Sequence, residues 1–184
     1  TIAQAMGAGK AYIKVAGSAT PYPAVNLSSG TVVIVGPGRD LTSPNSAVFD
    51  QVVVSGTGQV VLSGVQVNST TPGAPATQCS SAGAGLYLLD TVVSCLMGSR
   101  GVDADLGCGQ LVVERTRVTS AKLGITIQGN TSHYRIVNSA VSHPTTGGTG
   151  SEPWAVILGS EASGYFAFNT VTHYLNGVNC YSGQ

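Results

Sequence analysis

The sequence is poor in charge. Asp, Glu, Lys and Arg together make up 9% of its 184 residues, about a third of the share usual in a soluble globular domain. Eight acidic and eight basic side chains cancel to a formal net charge of zero. That removes the basic footprint of a nucleic-acid binder or of a protein held on an anionic membrane, and neither partner is expected. Aromatic residues are also few, at 6%. Long apolar runs are missing: Thr31-Val-Val-Ile-Val35 is typical, far short of the roughly 18 residues a bilayer span needs. No membrane span is expected. The cysteines, Cys79, Cys95, Cys108 and Cys180, form no CxxC pair and have no zinc-type spacing with His133, His143 or His173. Gly7-Ala-Gly-Lys10 has Gln4 where a phosphate loop requires its first glycine, and neither GxSxG nor HExxH occurs.

What remains is apolar and glycine-rich. Apolar side chains reach 42% and glycine accounts for 25 residues, enough to build one core over residues 1–184 as a single domain. The chain starts at Thr1 without a Met or a charged, apolar leader, so it reads as a processed protein or a fragment of a longer one. One stretch reads as a helix: Thr1 is a cap, Ile2 and Met6 are four apart, and Gly7-Ala-Gly9 stops it. Residues 1–9 are therefore a short N-terminal capping helix. Everything after it is short, β-branched and alternating, as in Tyr12-Ile-Lys-Val15, Ala24-Val-Asn-Leu27, Val52-Val-Val54 and Gln59-Val-Val-Leu62. The fold class is all-β.

Self-similarity decides how such strands assemble. A pattern of two alternating apolar residues, a small or polar residue, and a valine recurs in register. It reads Val60/Leu62/Val65/Val67, Leu86/Leu88/Thr91/Val93, Leu111/Val113/Thr116/Val118, Tyr134/Ile136/Ser139/Val141 and Gly164/Phe166/Asn169/Val171. Each valine is followed by a small hydrogen-bonding residue: Asn68, Ser94, Thr119, Ser142 and Thr172. A third strand recurs as Gly101-Val-Asp-Ala104, Gly124-Ile-Thr-Ile127 and Gly177-Val-Asn-Cys180, with Trp154 to Leu158 as its equivalent in the fourth turn. Leu86 to Leu88 also fits the third strand of the preceding coil, and that alternative is open at this point. Three strands per period of about 23 residues or more describe a solenoid, each coil burying a Val/Ile/Leu stripe against coils about 4.8 Å above and below. Two excursions are expected to leave the coil, near 70–85 and over 144–153.

The run Thr1-Ile-Ala-Gln-Ala-Met6, then Ala11-Tyr-Ile-Lys-Val15, Tyr22 and Gly30 to Gly36, followed by Val52 to Val67, resembles the capping helix and first coils of the right-handed parallel β-helix superfamily, the pectate-lyase-like group. The resemblance implies a right-handed parallel β-helix solenoid. It does not bring a catalytic set with it. Pectin methylesterases of that group use paired aspartates on neighbouring coils. The nearest likeness, Gly101-Val-Asp-Ala-Asp-Leu-Gly107, has no carboxylate partner near Gly124-Ile-Thr-Ile127. The Asp-Asp, Gly-His-Gly and Arg-Ile-Lys groups of polygalacturonases are absent.

Candidate sites follow from the columns. Val61, Tyr87, Val112, Arg135 and Tyr165 share an outward column. Sugar rings pack their C–H faces on aromatics and arginine binds hydroxyl or carboxylate groups, so Tyr87, Arg135 and Tyr165 are a candidate carbohydrate-binding strip. Asp103 and Asp105 alternate to one side of their strand and are the candidate calcium ligands, the competing reading being a pair with Arg100. His143 and His173 are equivalent positions one coil apart, near Glu152, and so are candidates for a transition metal. Asp90 and Arg115 share a column and read as a surface ion pair. Among the cysteines, Cys79 and Cys95 are the candidate disulfide, and Cys180 sits at an inward position expected to be buried.

The expected function is a secreted or cell-surface β-helix protein without catalysis, binding polysaccharide or building part of an extracellular assembly. The alternative is a lyase or hydrolase of acidic polysaccharide using Asp103, Asp105 and Arg135. Ice binding ranks last, because no outward column is threonine throughout. The final coil, ending at Tyr181-Ser-Gly-Gln184, carries no polar cap. Either further chain or end-to-end stacking on another chain is expected there.

Overall fold

A computed structural model of the chain describes residues 1–38, 46–97, 99–104, 107–129, 133–145 and 154–181. Helix α1 (Ile2–Gly7) opens it, held by a capping box: the Gln4 amide donates to Thr1 Oγ1 at 3.2 Å, and the Thr1 amino group donates to Gln4 Oε1 at 2.7 Å. This closes two of the open donors of the first turn. Ile2 is the buried residue of the helix and joins the solenoid core.

Among the described residues all remaining elements are strands in three parallel sheets. The first sheet stacks Tyr12–Lys14, Thr31–Val35, Gln59–Ser63, Gly85–Leu89, Gln110–Glu114, His133–Val137 and Ser163–Ala167, in chain order. The second stacks Val48–Phe49, Gln66–Ser69, Val92–Cys95, Arg117–Ser120, Ala140–Ser142 and Thr170–Thr172. The third stacks Val25–Leu27, Val52–Val54, Thr77–Cys79, Arg100–Ala104, Leu123–Ile127, Trp154–Leu158 and Asn176–Cys180. The chain visits them in rotation, so each strand pairs with its equivalent one coil away. This is a parallel β-solenoid, as the repeat implies. The segment 70–85, expected as an excursion, contributes Thr77–Cys79 to the third sheet. Most of the expected 144–153 excursion lies outside the described residues.

The registers are those of the sequence repeat. Val60 faces Leu86, Leu86 faces Leu111, Leu111 faces Tyr134 and Tyr134 faces Gly164. Leu86 to Leu88 therefore opens a coil in the first sheet and is not a third strand. Val67, Val93, Val118, Val141 and Val171 stack in the second sheet. Val102, Ile125, Val156 and Val178 stack in the third. A one-residue slip would turn every one of these side chains outward. The inward column Ile34, Leu62, Leu88, Val113 and Ile136 is fully buried.

The corner after the first sheet explains the small or polar position of the repeat. There Gly64, Asp90, Arg115, Asn138 and Phe168 all adopt positive φ, which bends the chain into the second sheet. The next residue ties one coil to the next: the Thr91 amide donates to Thr116 Oγ1, the Thr116 amide to Ser139 Oγ, and the Ser139 amide to Asn169 Oδ1. Thr91, Thr116 and Ser139 are buried, so these bonds satisfy amides that water does not reach.

The cysteines pair differently from expectation. The bridge joins Cys79 to Cys108, with Cα atoms 5.4 Å apart, and Cys95 is a buried thiol. Cys79 points inward from the third sheet, whereas Cys95 ends a strand of the second, so the Cys79–Cys95 pair would cross between sheets. Cys108 instead follows the third-sheet strand one coil further on. Cys180 is exposed rather than buried. Its column, running through Ile127 and Leu158, is inward, but in the last described coil such side chains are covered from one side only.

Candidate functional site

Alternation along the five-residue strands of the first sheet sends positions two and four into the core and the others outward. The middle outward position forms one column over the whole sheet. Tyr12 faces Val33, Val33 faces Val61, Val61 faces Tyr87, Tyr87 faces Val112, Val112 faces Arg135 and Arg135 faces Tyr165. The candidate strip Tyr87, Arg135 and Tyr165 is thus brought onto one face, with Val112 between the first two. The column also contains Tyr12, which the sequence reading missed. Its place depends on the pairing of Tyr12–Lys14 with Thr31–Val35, and those early coils carry too little of the repeat to show it. Tyr12 and Tyr165 are 64% and 54% exposed; Tyr87 is half-buried.

Flanking residues hold the column in place. On one side Tyr87 Oη lies 2.6 Å from Gln110 Oε1 and 3.3 Å from Gln59 Oε1. Gly85, between the two glutamines, makes room for this: a Cβ there would stand 1.9 Å from Gln59 Oε1 and 3.0 Å from Tyr87 Cε2. His133 Nδ1 and Ser163 Oγ continue the polar row at 2.8 Å. On the other side Glu114 accepts from Nη1 of Arg135 and from Nη1 of Arg115. Arg115 in turn grips Asp90 with Nε and Nη2, both at 2.9 Å. The Arg135 hydrogen bond above all, aided by the charges of both arginines, holds the Glu114 carboxyl below the usual carboxylate range, against some loss of hydration. The Asp90 carboxylate raises the Arg115 guanidinium further still. The Asp90–Arg115 pair is therefore as the sequence reading had it, with Glu114 and Arg135 extending it into a chain of alternating charge.

The other candidates fall elsewhere. Asp103 is on the third sheet, 5% exposed, with Arg100 Nη1 at 2.8 Å from Oδ1 and Gln78 Nε2 donating to Oδ2 at 3.2 Å. Asp105 lies outside the described residues. The outward position of Asp103 on one sheet and of Arg135 on another gives the two side chains no common face for a substrate. His143 is buried, with Nε2 3.1 Å from the Ala121 carbonyl, while the Thr145 amide donates to Nδ1 at 3.2 Å. Nδ1 also lies 2.9 Å from the Thr145 carbonyl, so backbone groups take up both ring nitrogens and neither is left to ligate a metal. Its ring meets Tyr174 edge-on at 5.5 Å. His173 is an exposed corner residue with φ of 64°, and Glu152 lies outside the described residues. Among the described residues no three His, Cys, Asp or Glu side chains gather as a metal site, and no helix is long and apolar enough to cross a membrane.

Comparison of the chain with family models, curated proteins and solved structures finds no match in any of the three.

Proposed function

We propose that the chain is a secreted or cell-surface β-helix protein of the pectate-lyase-like kind that binds polysaccharide without cleaving it. The observation that supports this reading is the outward column of the first sheet. It sets tyrosine rings and an arginine on one stiff face, where ring faces of sugars stack on aromatics and hydroxyls meet fixed polar groups. The Cys79–Cys108 bridge supports an oxidising compartment. Catalysis would need acid and base groups converging on one substrate position. Glu114, the carboxylate bonded to the strip's Arg135, is engaged by two guanidinium groups.

The test is a glycan-binding screen with and without calcium, followed by analysis of the incubated polysaccharide. The expected result is binding that is independent of calcium, is weakened by Tyr165→Ala, and leaves the polymer length unchanged. Shortened or unsaturated products would overturn the non-catalytic reading.

A further inference from the structure

We propose that the ligand of the first sheet is a neutral polysaccharide laid along the solenoid axis, across all seven strands, with Tyr12 as its second terminal anchor. This rests on the carbohydrate-binding reading above and adds to it the ligand's charge class, direction and minimum length.

The direction follows from the tyrosines. Tyr12, Tyr87 and Tyr165 occupy the first, fourth and seventh strands of one column. Their spacing is three strands each time, about 14 Å, and the whole column spans about 29 Å. The positions between Tyr12 and Tyr87 are Val33 and Val61, a low and apolar floor, and those between Tyr87 and Tyr165 are Val112 and Arg135. A sugar chain running parallel to the axis presents ring faces to all three tyrosines. One running along a strand meets a single tyrosine.

The charge class follows from the pairing of the cations. A polyanionic glycan carries a carboxylate on successive sugars and needs cations repeating along the column. The column holds one guanidinium, Arg135, and it is bonded to Glu114. The neighbouring Arg115 is bonded to Glu114 and Asp90. Lys14 stands on this face at the first strand, two residues after Tyr12, and Lys10 precedes both in the sequence; cations at one end are not a repeat. The side rows, from Gln59 and Gln110 to His133 and Ser163, offer amide, imidazole and hydroxyl groups that match sugar hydroxyls.

The experiment is calorimetric titration of the whole chain with neutral β-glucan and xylan oligosaccharides of increasing length, and with oligogalacturonates of matching length, at low and high salt. Affinity for the neutral series is expected to rise until the ligand spans the column, to level off there, and to vary little with salt. Tyr12→Ala is expected to weaken the longest neutral ligands about tenfold and Tyr12→Phe to leave them bound, with short ligands unaffected by either. Because Tyr12 is exposed, its replacement leaves the core intact, and an unchanged melting temperature checks this. Tighter, salt-sensitive binding of oligogalacturonate would overturn the charge class while leaving carbohydrate binding standing. No effect of Tyr12→Ala on long neutral ligands would overturn the axial placement. Absence of binding in every series would remove the carbohydrate reading itself, and this inference with it.

Discussion

Tyr134 occupies the space that a side chain at Gly164 would need. The two face each other across neighbouring strands, and a Cβ on Gly164 would stand 2.6 Å from Tyr134 Cγ and 2.1 Å from the Tyr134 carbonyl oxygen. The inward column that reads Val60, Leu86, Leu111 therefore ends in a large residue over an empty one. Gly164→Ala is expected to destabilise the protein by about 1–3 kcal/mol, as overpacking does. Tyr134→Leu should not rescue it, since the closest clash is with backbone. Urea denaturation of the single and double variants checks both points.

The corner residue Phe168 has φ of 56° and is 80% exposed. A bulky residue in the left-handed region is strained by roughly 1–2 kcal/mol, and this one recovers little by burial. The equivalent corner of the preceding coil uses Asn138, which tolerates that conformation. Phe168→Asn is expected to stabilise the chain by about 0.5–1 kcal/mol, and Gly64→Ala at the first such corner to destabilise it. Midpoints of chemical denaturation give the order.

The Cys79–Cys108 bridge closes a loop between residues 29 apart, and removing it with Cys79→Ala/Cys108→Ala is expected to cost about 3–4 kcal/mol. Peptide mapping of the unreduced protein should recover the Cys79 and Cys108 peptides as one linked species, with Cys95 alkylated only after unfolding. A linked Cys79–Cys95 peptide would contradict the fold in this region.

Much of the fold was legible in the sequence because a solenoid repeats its chemistry. The column from Val60 to Gly164 and the small residues at Thr91, Thr116 and Ser139 recur because each coil meets the same neighbours. Residues whose role is set by a single pairing were not legible. Tyr12 joins the outer column only through its register with Val33. Gly85 reads as one glycine among many until Gln59 is seen to reach past it to Tyr87. Cys108 lies outside any strand, and its meeting with Cys79 is a contact that strand spacing does not reveal.

Glu114 gives the site a defined pH dependence. Its carboxyl is depressed in the folded state, chiefly by Arg135, so the stabilisation it brings is present above its unfolded value, near pH 4.5, and is lost as pH falls through the lower folded value. Glu114→Gln is expected to flatten the acid limb of the stability profile slightly, the group being at the surface. The same change releases Arg135 and should raise affinity for oligogalacturonate severalfold at low salt. Stability against pH and titration with oligogalacturonate test the two effects separately.

The central claim is that one column of the first sheet holds a sugar chain. Its most direct test is a set of NMR spectra of the protein with labelled tyrosine rings, recorded while a long neutral oligosaccharide is added. Of the seven tyrosines, the rings of Tyr12, Tyr87 and Tyr165 are predicted to shift together and saturate at one ligand concentration, while Tyr22, Tyr134, Tyr174 and Tyr181 stay in place. Shifts confined to the second group, or a saturating ligand that leaves Tyr87 and Tyr165 unmoved, would contradict it.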